Sequence, residues 1–161
     1  MRARCSDRWA LVSQGGGTLG ERLSRVCDAL FHTGFSAVIL IGSDSPTLPT
    51  ERITRALALL EARPVVIGPA DDGGYYLLGL ATRAPSLFED IEWSTERVFE
   101  QTLAKIRAEN LAYEALPSHY DVDVPEDLAR LQSELESESA RALAPRTARV
   151  MDEIRRARLA R

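Results

Sequence analysis

The sequence predicts a single α/β domain of three layers, built on a mostly parallel sheet, and three observations carry that expectation. Short apolar runs rich in β-branched residues alternate with stretches of helical periodicity. The runs at 37–41 and 64–68 are continuously apolar, as strands covered on both faces are. At 161 residues and 17.8 kDa the chain is long enough for one core and short for two.

The elements follow in chain order. Residues 9–13 read as a first strand, which Gln14, Gly15, Gly16 and Gly17 break. Leu19, Leu23, Val26, Cys27 and Leu30 recur at helical spacing, Thr18 and Glu21 are placed as a capping box, and Gly34 is the stop. After the 37–41 strand, a helix over about 49–61 puts Ile53, Leu57 and Leu60 on one face. Strands at 64–68 and 75–80 flank the loop of Asp71, Asp72, Gly73 and Gly74. A helix after Ser94 and Thr95 buries Phe99, Leu103 and Ile106, and 113–116 is a short strand. Pro125 opens a last helix with a stripe of Leu128, Leu131 and Leu135. Three divisions follow: a tail at 1–8, the α/β domain at 9–135, and a polar, Arg-rich helical tail at 136–161.

Composition excludes several classes. The chain is 45% hydrophobic and 27% charged, which is neither collagen-like nor low-complexity. A net charge of −4 argues against a nucleic-acid groove. No apolar run is long enough to span a membrane, and the basic N-terminus has no apolar stretch behind it, so a cytoplasmic location is expected. Cys5 and Cys27 alone make neither a disulfide framework nor a zinc site. Lys105 is the one lysine, from which no function follows.

In open α/β sheets ligands bind at the carboxyl ends of strands, and three such loops are rich in acids. The first holds Asp44 before Ser45 and Pro46; the second holds Asp71 and Asp72 before two glycines. In the third, period-2 spacing turns Asp121 and Asp123 to one side of an extended segment. Converging carboxylates suit a divalent cation, Mg²⁺ or Mn²⁺, that also takes phosphate oxygens. The plainer reading stands beside it: Asp before Pro or Gly is ordinary turn chemistry, and Glu126 and Asp127 offset a helix dipole. Trp93 is a core aromatic or a pocket wall, and of Tyr75 and Tyr76 one packs inside while the other can line a cleft. His32 reads as a solvated helix-end residue, whereas His119 stands two residues from Asp121 and within reach of the same site.

Five motifs in order carry a family resemblance: residues 14–22 (QGGGTLGER), 41–46 (IGSDSP), 68–77 (GPADDGGYYL), 93–95 (WST) and 121–127 (DVDVPED). Over about 9–131 the chain resembles the bacterial family called radical-SAM/selenodomain-associated transferase 1. That family is itself similar to nucleotide-diphospho-sugar transferases of the glycosyltransferase-A fold. The resemblance implies a metal-dependent transferase acting on a nucleotide-activated donor and a small-molecule acceptor. It implies Asp44 and Asp123 as metal ligands, with Asp44 and Asp72 catalytic. Gly73, Gly74, Tyr75 and Trp93 would shape the substrate pocket, and Gly17 and Arg22 would border the nucleotide. Related families also imply a nucleotidylyltransferase, which uses a nucleoside triphosphate and releases pyrophosphate. Members begin with a further strand and a basic, Gly-bearing phosphate turn, so the chain is expected to be N-terminally truncated, and a non-catalytic interaction module is the third reading. A sheet lacking that strand has an open edge, which favours self-association into a homo-oligomer.

Overall fold

The computed structural model describes residues 10–159, with six α-helices and a four-stranded open sheet among them. The expected tail at 1–8, Cys5 and Trp9 lie outside the described residues. Helix α1 (Leu19–His32) starts as its sequence dictates. Thr18 Oγ1 accepts the amide of Glu21, the Glu21 carboxylate accepts the amide of Thr18 at 2.7 Å, and the helix ends before Gly34. His32 is exposed at its last turn, with Nδ1 2.7 Å from the Asp28 carbonyl.

Strand β1 (Val38–Ile41), helix α2 (Thr50–Leu59), strand β2 (Val65–Pro69) and strand β3 (Tyr75–Leu80) follow. Helix α3 (Val98–Ala108), strand β4 (Tyr113–Ala115) and helix α4 (Pro125–Glu134) come next, and Pro125 sits at the first turn of α4 as expected. The chain continues through α5 (Glu138–Leu143) and α6 (Pro145–Leu159).

The strand order is β1-β3-β2-β4, and here the expectation of a mostly parallel sheet is corrected. β3 pairs antiparallel with both β1 and β2, and only β2 with β4 is parallel. The reason is the connection between β2 and β3. A parallel return needs a crossover of roughly a dozen residues or more, and this turn closes on itself, with the Ala70 amide bonded to the Gly74 carbonyl at 3.0 Å. A continuous apolar run reports burial on both faces and is silent on direction. β2 is fully buried except at Pro69, yet β1 is an edge of the described sheet and Ile41 is 53% exposed.

A second correction concerns 9–13. Residues 10–13 form no strand, and Leu11 and Val12 are exposed at 78% and 65%. An apolar run becomes a strand only with a ladder partner, and none of β1 to β4 pairs with it.

Two apolar clusters cover the sheet. Val38, Val65, Ile67, Leu78 and Leu80 pack with Cys27 of α1, with Leu87 and Phe88 of the short helical turn Pro85–Phe88, and with Ile106 of α3. Val66, Tyr76 and Leu77 pack with Ala56 of α2 and with Leu60, its C-cap. Leu57, expected on the buried face of α2, is 52% exposed, because the helix turns Ala56 to the sheet instead. A third cluster joins Leu131 and Leu135 of α4 to Ala140, Ala144, Ala148 and Met151, so α5 and α6 dock through small residues that permit close approach. Among the described residues no helix is long and apolar enough to cross a membrane.

Candidate functional site

The three acidic loops meet in one cleft of about 440 Å³. Backbone hydrogen bonds splice them together at the strand ends. The Gly42 amide donates to the Tyr76 carbonyl at 3.1 Å, and the Val122 amide donates to the Asp44 carbonyl at 3.0 Å. The Asp71 amide donates to the His119 carbonyl at 2.9 Å, which ties the β2–β3 turn to the segment after β4. Asp44, Asp72, Asp121 and Asp123 all line the cleft.

Asp72, Asp121 and Asp123 each bring a carboxylate oxygen to within 4.8 Å of the other two. Asp44 faces the same space without entering that group of three. Partial burial, and then the charges of Asp72, Asp123 and Asp44, push the Asp121 carboxyl above its ordinary value, against a hydrogen bond from its own backbone. Asp121 belongs to the cluster on equal terms with Asp123, and its period-2 offset from Asp123 is the sequence signal for it.

Local structure fixes Asp72. Its Oδ1 accepts the Gly74 amide at 2.8 Å, an Asx turn. Between them Gly73 has a φ of +91°, and a Cβ there would stand 2.1 Å from the Glu96 carbonyl oxygen, so only glycine fits. Gly73 thus lies behind the cleft wall rather than in it, and its carbonyl accepts the Phe99 amide at 2.9 Å. Asp71 turns the other way to an ion pair with Arg130 at 2.8 Å, and that hydrogen bond holds its carboxyl below the usual range. The Asp123 segment is held by Asp127, whose Oδ2 accepts the amides of Asp123 and Val124 at 3.2 and 3.1 Å.

The opposite wall is aromatic. Tyr75 and Trp93 meet edge to face, centroids 6.4 Å apart at 77°. Trp93 both packs on the core and lines the cleft, so its two readings hold together. It reaches there because α1 carries Gly20, where a Cβ would lie 2.3 Å from the Phe88 carbonyl and 2.7 Å from Trp93 Nε1. Thr95 makes a turn with the Glu92 carbonyl and does not cap α3, whose N-cap is Arg97. Tyr75 and Tyr76 both border the cleft, and burial pushes the Tyr75 hydroxyl, which has no partner among the described residues, well up.

Gly17 and Arg22 stand apart from this cleft. Gly17 packs on the Glu21 side chain of the capping box, and Arg22 is half-buried without lining the acidic walls. Arg25, one turn on, holds the glycine loop by donating to the Gly16 carbonyl at 3.1 Å and to that of Gln14. His119 is buried beside the site; burial first, then Arg52, lowers its pKa.

Comparison with known proteins bears on the fold and the family. A crystal structure from Desulfovibrio desulfuricans G20, bearing the name "putative nucleotide-diphospho-sugar transferase", matches with a TM-score of 0.73 and 34% identity. The match covers 87% of this chain and 64% of that one, so the chain spans less than two thirds of its relative's length. The resemblance to nucleotide-diphospho-sugar transferases seen in the sequence is therefore met in the fold. A comparison with curated proteins finds no match. Residues 1–95, with Asp44, Asp72 and Trp93 among them, match the family described as "Uncharacterized protein conserved in bacteria (DUF2064)", and with more than half of its length so matched the chain belongs to that family.

Proposed function

We propose that the chain is a transferase domain that binds a nucleotide-activated donor, a nucleotide sugar, and presents it to a small-molecule acceptor in the acidic cleft. The observation that carries this reading is the convergence of Asp72, Asp121 and Asp123 from two loops, with Asp44 facing them from a third.

The donor set fits Mg²⁺ or Mn²⁺. Both are hard cations that take carboxylate oxygens at roughly 2.1 Å and keep further positions for phosphate and water. Three carboxylates within 4.8 Å of one another need small rotations to share one ion. Burial first, and then the charges of Asp72, Asp123 and Asp44, raise the Asp121 carboxyl, and a divalent cation would offset those charges. Asp72, Asp121 and Asp123 would hold the ion, with Asp44 oriented toward the same donor. Such an ion supplies charge neutralisation for a diphosphate and its leaving group. Tyr75 and Trp93 offer an apolar wall against which a sugar or base ring packs, and the fixed Asp72 turn sets the distance between wall and carboxylates.

The test is a thermal-shift panel of nucleotides and nucleotide sugars with and without Mg²⁺ or Mn²⁺. Ligands of the folded state raise the melting temperature by mass action. A cation-dependent rise with one nucleotide class is the expected result. A protein that melts cooperatively and responds to none of them, with or without cation, would overturn the proposal.

A further inference from the structure

A second pocket, of about 580 Å³, opens between α2 and α4 and shares no lining residue with the acidic cleft. Pro49, Arg52, His119, Tyr120, Arg130 and Glu134 border it. Its chemistry is the reverse of the cleft's, because donors dominate the walls. Arg52 Nη1 donates to the carbonyls of Pro117 and Ser118, each at 2.7 Å, and to Tyr76 Oη at 3.3 Å. All three acceptors are neutral, so the guanidinium charge meets no carboxylate among the described residues. Arg130 uses Nη1 for Asp71 and lies 3.9 Å from the centre of the Tyr120 ring, and the rest of its fork makes no hydrogen bond among the described residues.

Between them stands His119, 8% exposed and packed on Tyr76 and Tyr120 with ring centroids 5.9 and 5.1 Å away. Its Nε2 has no hydrogen-bond partner among the described residues. Buried polar atoms are nearly always paired, so this nitrogen marks an unsatisfied polar group in the wall of the pocket. The N-terminus of α2 reaches the same rim through Pro49, and no side chain caps it. One acid borders the pocket, Glu134, and its Oε2 is engaged by the hydroxyls of Tyr120 and Thr47, the latter at 2.8 Å.

We propose that this pocket binds an oxyanion of phosphate size, held by the guanidinium groups of Arg52 and Arg130 beside the ring of His119. Two planar forks with donors to spare match phosphate oxygens, and the uncompensated charge of Arg52 favours an anion over a neutral guest. The site does not depend on the transferase reading. It is nonetheless mechanically close to the cleft, because one extended segment carries His119 and Tyr120 into this pocket and Asp121 and Asp123 into the other.

The test uses inorganic phosphate and NMR of the imidazole rings. His32 and His119 are the two histidines of the chain, and exposed His32 serves as the internal reference. Phosphate is expected to shift the His119 ring saturably and leave His32 in place, while sodium chloride of equal ionic strength does not. Loss of one charged donor in Arg52→Gln is expected to weaken binding by about tenfold or more. Because Arg52 also ties down Pro117 and Ser118, Arg130→Gln is the second variant, and circular dichroism checks both folds. A phosphomonoester that binds more tightly than inorganic phosphate identifies a phosphorylated metabolite as the source; the reverse order identifies the free ion. Absence of a saturable His119 shift, equal shifts with sodium chloride, or unchanged affinity in folded Arg130→Gln would each overturn the proposal.

Discussion

The carbonyl of Asp44 accepts the amide of Val122 at 3.0 Å, and this single bond fastens the loop after β1 to the segment that bears Asp121 and Asp123. The residues are far apart in the chain, so the bond sets the width of the cleft between Asp44 and the three clustered carboxylates. Placing like charges together costs stability, and the fold accepts that cost by fixing each backbone segment with hydrogen bonds. The Asx turn at Asp72 and the Asp127 bonds to Asp123 and Val124 serve the same end.

Asp121 is where the cost should be measurable. Its carboxyl titrates above the ordinary 3.8, so the folded chain holds this proton more tightly than the unfolded chain does. The group therefore subtracts stability as pH rises above that ordinary value, and the loss is complete once pH passes the raised one. Asp121→Asn is expected to raise the melting temperature at neutral pH in EDTA and to abolish the stabilisation by Mn²⁺. Scanning calorimetry with and without the cation checks both; a lowered metal-free melting temperature with an intact Mn²⁺ response would sink the metal assignment.

Gly73 should be intolerant where Gly16 is not. Alanine at Gly73 meets both a left-handed backbone and the Glu96 carbonyl at 2.1 Å, so a loss of about 2 kcal/mol or more is expected. At Gly16 a Cβ finds nothing within 4 Å, and alanine there should be neutral or stabilise by up to about 1 kcal/mol. Urea denaturation of the two variants tests the contrast. Equal stabilities would show that the Asp72 turn is not held as described.

Gly20→Ala sets two effects in opposition. Alanine is favoured over glycine in a helix, by up to about 1 kcal/mol in the interior and by less in the first turn, where Gly20 lies. Against this, the new methyl would lie 2.3 Å from the Phe88 carbonyl and 2.7 Å from Trp93 Nε1, and overpacking of this kind costs about 1–3 kcal/mol. The expected outcome is a net loss of stability together with displacement of Trp93 from the cleft wall. A gain in the urea midpoint would mean that α1 can move away from Trp93 freely.

How much of this was readable before the structure depends on the kind of signal. The Thr18–Glu21 box, the Pro125 start and the Leu128, Leu131, Leu135 stripe are local, and the sequence specifies them within one or two turns. Asp44, Asp72 and Asp123 were legible as acids at strand ends, since loop position follows from the strands. The direction of β3 was not, because the apolar run 75–80 is equally compatible with either sense, and only the closure of the 70–74 turn decides it. Gly17 and Arg22 lie outside the acidic cleft, a placement that spacing alone does not give. A glycine loop before a helix suggests a ligand, and here Glu21 and Arg25 pack against that loop. The pocket of Arg52 and His119 left no sequence trace, since it joins α2 to α4 across residues that share no spacing.

Cys27 offers a last check on the core that supports the site. It is 3% exposed in the cluster that joins α1 to the sheet, and burial pushes its thiol up to about 11. The thiolate is the reactive form, so at pH 7 roughly one molecule in ten thousand would carry it even if reagent could enter. In a Cys5→Ser background, Cys27 is expected to resist an aromatic disulfide reagent in native buffer and to react fully in urea. The modification rate should then follow the unfolding curve, because opening of the core gates access. Rapid stoichiometric labelling of the native protein would show that α1 detaches from the sheet readily, and with it the Gly20 seat that holds Trp93 at the cleft.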